Sequence, residues 1–266
     1  FSLDRKETLI SLFDPSGVGL EIGPSHNPLL PKSEGYKVET IDHMSAEELR
    51  LKYGGVPGID VSKIEPVDYI TDGGSISSLI NKESAFDFVV GSHVVEHMTN
   101  LLGFLLDCEH LLKDAGDLVL AVPDKRFVFD ALRPIATTGD ALQANLEGRR
   151  RHTPGNLFDE VAYNVLRGGS SGWSPHDSGE ISFAATLDSA RHVFDSAVQT
   201  GASHDIHAWQ FTPSSFRLII RDLHEIQAIH LQEKRFLATG GGEFYVVLSK
   251  TADGCALDRM TLLQHT

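Results

Sequence analysis

A doubly wound α/β fold is what this sequence predicts, on three observations. Strand-length apolar runs alternate with helical patterns through residues 1–125. One of those runs passes directly into Glu21-Ile22-Gly23-Pro24-Ser25. The chain closes on two strand-like runs joined by Gly240-Gly241-Gly242. Alternation of this kind builds a parallel sheet with helices on both faces, and a glycine turn between two late strands adds an antiparallel hairpin. At 266 residues the chain is long enough for one sizeable core, with an insertion more plausible than a second independent domain.

The elements follow in order. Strands are expected near 18–22, 37–41, 67–70, 86–91 and 117–122. Ser45-Ala46-Glu47-Glu48 has capping-box spacing and should start a helix over 46–53. Leu101, Leu102, Leu105, Leu106, Leu111 and Leu112 recur at helical spacing as core positions, and that helix should stop at Lys113-Asp114-Ala115-Gly116, with Gly116 left-handed. From Phe127 to about 206 the alternation breaks, with turn-rich stretches at 152–155 and 167–175 and helical patterns near 139–149, 157–166 and 185–199. This gives three units: 1–126 as the cofactor-binding half, 127–206 as an inserted cap over the substrate, and 207–266 as a closing helix and hairpin. In the last unit Thr212-Pro213 caps a helix, and strands are expected over 226–236 and 243–248.

The chemistry concentrates at the first turns. Asp42 ends the second apolar run nineteen residues after Gly23, close to the separation of roughly 20 at which a dinucleotide fold places its ribose-binding carboxylate. A nucleoside-containing cofactor is the expectation. A formal net charge of −14 opposes binding to a phosphate backbone, so nucleic acid is not an expected partner. Cys108 and Cys255 lack CxxC spacing, and no apolar run reaches the roughly 20 residues of a bilayer span, which fits a reducing cytoplasm. The chain opens on Phe1, as an excised domain with further neighbours would.

This layout resembles the class I S-adenosylmethionine-dependent methyltransferases over residues 15–123 and 210–250. The resemblance implies a Rossmann-like, mostly parallel seven-stranded sheet with an antiparallel last strand, and S-adenosylmethionine as cofactor. It places Glu21, Gly23, Pro24 and Ser25 at the methionine portion and Asp42, with His43 beside it, at the ribose hydroxyls. Val67-Asp68-Tyr69-Ile70-Thr71-Asp72-Gly73 is similar to the third-strand segment, which offers Asp72 and Gly73 to the adenine. Phe86-Asp87-Phe88-Val89-Val90-Gly91-Ser92-His93 is similar to the fourth strand, which sets Ser92 and His93 beside the reactive methyl. The first turn departs from the family pattern in having a single glycine and a proline that removes a backbone donor. Pro123-Asp124-Lys125-Arg126, Arg151-His152-Thr153-Pro154-Gly155 and Phe211-Thr212-Pro213-Ser214-Ser215-Phe216 are similar to methyltransferase domains that accompany glycosyltransferases in polysaccharide biosynthesis.

His93-Val94-Val95-Glu96-His97 also matches the HxxEH pattern of inverted zinc peptidases. That pattern belongs within a helix, whereas here it follows a strand, so no metal site is expected and His97 is read as structural. His26, His43 and His93 each follow a strand and should gather on the ligand edge, to hydrogen-bond a cofactor or cap a helix. Methyl transfer to a hydroxyl calls for a base, and His93, Asp124, His152 and His207 are the candidates, Asp124 being as well suited to capping the next segment. Lys125, Arg126, Arg133 and Arg149-Arg150-Arg151 suit an anionic acceptor or a solvated face. Trp173 and Trp209 offer flat surfaces to a sugar or pack in the core. The acceptor expected is a glycan, nucleotide sugar or other small polar molecule. The alternatives are a nicotinamide-dependent oxidoreductase, which calls for a fuller GxGxxG than Gly23 alone, and a noncatalytic binding domain of the same fold.

Overall fold

A computed structural model describes residues 4–201 and 204–266; Phe1 and residues 202–203 of the expected cap lie outside the described residues. A seven-stranded sheet is built from β1 (Val18–Ile22), β2 (Lys37–Asp42), β3 (Tyr69–Ile70), β4 (Phe86–Ser92), β5 (Leu112–Pro123), β8 (Gln232–Ala238) and β9 (Glu243–Ser249). Its order is β3-β2-β1-β4-β5-β9-β8. β1 pairs in parallel with β2 and β4, β2 with β3 and β4 with β5, while β9 runs antiparallel to both β5 and β8. The expected Rossmann-like sheet, mostly parallel with an antiparallel last strand, is the sheet observed.

Period-two alternation sorts the strand residues to the two faces. Leu20, Ile22, Ile41, Val89, Leu118 and Leu120 join one core cluster. On the other face, Val38, Phe88, Val90, Val119, Tyr245 and Val247 pack with Leu9 and Phe13. The first face is covered by α4 (Leu101–Leu111), α5 (Thr138–Leu146) and α8 (Pro213–Glu225), and Leu9 reaches the second from α1 (Arg5–Ile10). Fully burying each Leu, Val or Phe of these layers contributes about 1.5–3 kcal/mol, so a substitution to polar on either face would disrupt the sheet before the rim.

Local signals explain most helix starts. α2 (Ala46–Tyr53) has the expected Ser45–Glu48 capping box, and α8 has Thr212 as N-cap with Pro213 at the first position. The shorter α3 (Ile76–Ile80) and α9 (Arg259–Gln264) start on Ser75 and Asp258. Such caps are each worth about 1 kcal/mol. α4 does not run on to Gly116: it ends at Leu111, and Leu112 is already extended and paired with Phe86. Gly116 is not left-handed; a Cβ there would lie 3.1 Å from the carbonyl oxygens of both Lys113 and Phe86, so close approach within the bulged start of β5 is what requires glycine.

Between β5 and α8 lie α5, α6 (Pro154–Tyr163), the antiparallel pair β6 (Val165–Arg167) and β7 (Ile181–Phe183), and α7 (Leu187–Thr200). Ala136, Ala141 and Ala144 belong to the main core, whereas Leu157, Ala197 and Ile206 form a small cluster of their own where α6 meets α7. The expected strand over 226–236 starts only at Gln232, because Ile226 closes α8 and Gln227 takes a left-handed turn (φ 63°).

Candidate active site

Parallel strands deliver their carboxyl ends to one rim, where helix-leading turns leave backbone groups available to a ligand. At the end of β1, Gly23 is left-handed (φ 66°), and a Cβ there would lie 3.1 Å from Val94 Cγ2. The turn continues through Pro24 into Ser25, itself left-handed (φ 48°). At the end of β2, the buried Asp42 ties two turns together. Its Oδ2 accepts the Ser25 N–H at 2.9 Å, and its Oδ1 accepts the His43 N–H at 2.7 Å and the His43 ring Nδ1 at 2.6 Å. Lys52 Nζ donates to His43 Nε2 at 3.2 Å, which fixes that ring as the Nδ1–H tautomer. A carboxylate oxygen offers two lone pairs, so Oδ2 keeps room for one more donor.

Other predicted residues are placed differently. Glu21 is buried, and both its oxygens accept backbone N–H groups, from Leu29 at 2.6 Å and Leu30 at 3.0 Å. Burial raises its pKa against those two amides. Its carboxylate braces the loop after Gly23. Asp72 is exposed and accepts the Gly74 N–H at 3.0 Å, while Gly73 (φ 88°) faces the Arg150 carbonyl across a narrow gap. His26 lies against Tyr53, ring centroids 4.7 Å apart, next to the Asp42 turn.

The end of β4 carries a second left-handed non-glycine residue of the rim. His93 is left-handed (φ 54°) with 42% of its side chain exposed. A non-glycine residue in that region costs of order 1–3 kcal/mol, and such strain gathers at functional sites. Its Nε2 donates to Glu243 Oε2 at 2.8 Å. Glu243 opens β9 opposite Pro123, so antiparallel pairing carries it back to the carboxyl end of β5. Arg5 reaches the same carboxylate through Nε and Nη2, both at 2.7 Å, and Nη2 also donates to Ser92 Oγ at 2.7 Å; the Tyr245 hydroxyl donates to Glu243 at 2.7 Å. Burial alone would raise the Glu243 carboxyl, but hydrogen bonds from His93, Arg5 and Tyr245 outweigh it and hold it at about 2. Burial and the adjacent Glu243 push the Tyr245 hydroxyl up.

Beneath His93, a 3₁₀ turn over Val95–His97 buries Glu96 completely, and among the described residues neither of its carboxylate oxygens has a hydrogen-bond partner. Burial raises its pKa, with His97, His93 and His207 acting against that rise. Oε1 lies 3.6 Å from His93 Nδ1 and 3.7 Å from His97 Nε2. His97 Nδ1 lies 2.8 Å from Asp205 Oδ1, and His207 Nδ1 lies 3.1 Å from Asp130 Oδ2. Burial disfavours charge on His97, but Asp205 and then Glu96 outweigh it and raise its pKa. The His207 ring packs edge-on to His97 at 4.8 Å and tilts against Phe129 at 4.6 Å. The segment bearing His207 is pinned to the turn by the N–H groups of Ala208 and Trp209, both donating to the Glu96 carbonyl, at 2.7 and 3.1 Å.

His93 and His207 thus converge around Glu96, while Asp124 and His152 do not join them. Asp124 is buried, caps the turn at 125–127 through the Arg126 N–H, and is gripped by the Arg126 guanidinium, with Nη2 to Oδ2 at 2.5 Å. The capping alternative describes its geometry. His152 has a buried Nδ1 without a partner, and burial lowers its pKa to about 4. It lines a cleft of about 260 Å³ with Arg133, Arg149, Arg151, Asn156 and Trp209. Trp209 is buried and donates its indole N–H to the Met98 carbonyl, whereas Trp173 donates to the Arg126 carbonyl at 3.0 Å under the Arg167 guanidinium. The peptidase pattern is absent in geometry, because His93 turns to Glu243 and the motif occupies a single turn rather than a helix.

Sequence reading missed Glu243, Arg5, Asp130 and Asp205. They carry no motif: strand pairing brings Glu243, α1 brings Arg5, and loops after β5 and α7 bring Asp130 and Asp205. The one available signal is Glu243 directly after the glycine turn of an antiparallel last strand, which must begin at this edge.

Among solved structures, the chain is similar to a Rhodobacter sphaeroides protein assigned by its name to the Zn-dependent alcohol dehydrogenases, at 13% identity and a TM-score of 0.50 over 95% of this chain and 92% of that one. It is similar also to the CcbJ methyltransferase of Streptomyces caelestis, at 11% identity and a TM-score of 0.46 over 91% and 92%. A methyltransferase from Thermotoga maritima gives 11% and 0.45 over 92% and 88%. At such identities these likenesses concern the fold alone. No curated protein matches the chain in sequence. A family model described as a methyltransferase domain matches residues 3–168, well over half of the sequence, which sets aside the oxidoreductase alternative. The chain belongs to the methyltransferase domain family.

Proposed function

We propose that this chain, an S-adenosylmethionine-dependent methyltransferase, methylates an oxygen of a small polar acceptor such as a glycan or nucleotide sugar, with His93 as general base. The cofactor supplies a methyl group on a sulfonium, an electrophile that needs no further activation. The residues of the rim fit it. Gly23 leaves the space a Cβ would fill, and Asp42 Oδ2 retains acceptor capacity suited to one hydroxyl of a ribose diol. Glu21 and the Ser25–Asp42 bond preorganise that turn. Asp72 and Gly73, on the neighbouring turn, are assigned to the adenine end, and Ser92 and His93 to the methyl.

The observation that carries the assignment of the base is the strained, exposed His93 at the end of β4, held by Glu243. With Nε2–H donating to the Glu243 carboxylate, Nδ1 is the ring nitrogen left to accept a proton. With the methyl group supplied by bound cofactor, that nitrogen would take the proton of the acceptor hydroxyl, and Glu243 would stabilise the imidazolium that results. Asp124, already ion-paired with Arg126, is a weaker candidate, and His152 faces the basic cleft. That cleft, with Arg149, Arg151 and His152 in its wall, supports an anionic acceptor approaching beneath the 127–206 segment, whose role is to cover it. The motifs shared with methyltransferase domains of polysaccharide biosynthesis support a place beside glycosyltransferases in the cytoplasm.

The test is methyl release from labelled cofactor over a panel of sugars and sugar nucleotides, with calorimetry for the cofactor. His93→Asn keeps a residue that tolerates the left-handed conformation. It should lower kcat by about 10²–10⁴-fold, the usual contribution of a positioned base, with cofactor affinity unchanged. A wild-type rate in that variant would remove His93 from the mechanism, and cofactor binding without any methylated product would mark a noncatalytic domain.

A further inference from the structure

Glu96, His97 and His207 form a second constellation beside His93, one to which the proposed methyl transfer assigns no role. Each offers one ligand atom, and the three atoms lie within 4.8 Å of one another. Three features set this group apart from a chance cluster. Glu96 is wholly buried with both oxygens unpartnered among the described residues, an arrangement that is costly for an ionised carboxylate unless a cation faces it. An aspartate lies near Nδ1 of both imidazoles: Asp130 is hydrogen-bonded to His207 at 3.1 Å, and Asp205 Oδ1 lies 2.8 Å from His97 Nδ1 outside hydrogen-bond alignment; for His97, Nε2 is the nitrogen 3.7 Å from Glu96 Oε1. A carboxylate behind a histidine is the arrangement that orients imidazole ligands and raises their basicity. The backbone bonds from Ala208 and Trp209 to the Glu96 carbonyl hold the two contributing segments in fixed relation.

From this geometry we infer a binding site for a first-row divalent cation of the zinc class, with Glu96, His97 Nε2 and His207 Nε2 as its three protein ligands. The donor set selects the ion. Two imidazoles and one carboxylate suit zinc, iron or cobalt, whereas magnesium and calcium prefer all-oxygen sets. Bonds of roughly 2.1 Å at tetrahedral angles bring donors to about 3.4 Å of one another, so spacings within 4.8 Å must contract by at most about 1.4 Å, within the reach of side-chain rotation. Three protein ligands leave at least one position for water or a substrate oxygen. This ligand set differs from the HxxEH pattern: His93 is outside it, Glu96 is a ligand, and the second histidine comes from residue 207.

Neither the site nor its test depends on which molecule is methylated. Tag-free protein, stripped with a chelator, is dialysed against Co²⁺, with metal content measured and the visible absorption of the ion recorded. The expected result is one Co²⁺ per chain with the strong visible band of a four- or five-coordinate ion, displaced by Zn²⁺. Glu96→Gln, nearly isosteric, and His207→Asn should lose that stoichiometric binding. Asp130→Asn should weaken it about 10- to 100-fold, the usual effect of removing the group behind a ligating histidine. If folded wild-type protein binds no Co²⁺ above the level of an unrelated acidic protein, or if Glu96→Gln binds as tightly as wild type, the inference is overturned.

Discussion

Replacing Glu243 with glutamine tests whether the rim around His93 is held by charge. In the folded chain the carboxyl sits at about 2, against an ordinary value of 4.5, because hydrogen bonds from His93, Arg5 and Tyr245 outweigh its burial. A displacement of that size corresponds to about 3 kcal/mol. Arg5 and His93 leave 44% and 42% of their side chains in solvent, so screening reduces the net contribution to about 1–2 kcal/mol. The sign follows from proton uptake: the folded carboxyl binds its proton later than the unfolded one, so the stabilisation is present above pH 4.5 and is lost as pH falls from 4.5 to about 2. Urea unfolding of wild type and Glu243→Gln across pH 2.5–7, at fixed salt, reads this directly. The gap between the two proteins should be widest near neutrality and should narrow below pH 4.5. A gap of equal size at pH 3 and pH 7 would refute the electrostatic account.

Two further substitutions address the cofactor edge. Asp42→Asn places an amide where Oδ2 accepts the Ser25 N–H and Oδ1 accepts two bonds from His43, so one half-buried donor must lose its partner. We expect a stability loss of about 1–3 kcal/mol together with weaker binding of S-adenosylhomocysteine by calorimetry, and unchanged affinity would separate Asp42 from the cofactor. Because the same carboxylate ties two turns together, this position cannot be altered for binding alone. Gly23→Ala meets both a left-handed backbone (φ 66°) and Val94 Cγ2 at 3.1 Å, and should lower the unfolding free energy by about 1–2 kcal/mol; a neutral result would show that the turn relaxes freely.

Local sequence specified what local physics controls. Alternating apolar runs set β1, β2, β4 and β5, capping residues set the starts of α2 and α8, and the separation of Gly23 from Asp42 reflects one βαβ unit whose turns must meet. Where a neighbour decides, the sequence was silent or misleading. Gly116 resembles a helix stop but serves a close approach in a bulged strand.

The sequence by itself determined the doubly wound sheet and the rim at which its parallel strands end, because side-chain periodicity and turn chemistry act over a few residues. Only the tertiary structure decided which charges meet there. Glu243 reaches His93 across 150 residues, and His207 reaches Glu96 across more than a hundred, through an antiparallel strand and a returning loop. Contacts of that range arise from chain closure and packing, which leave no periodic trace in the residues that make them.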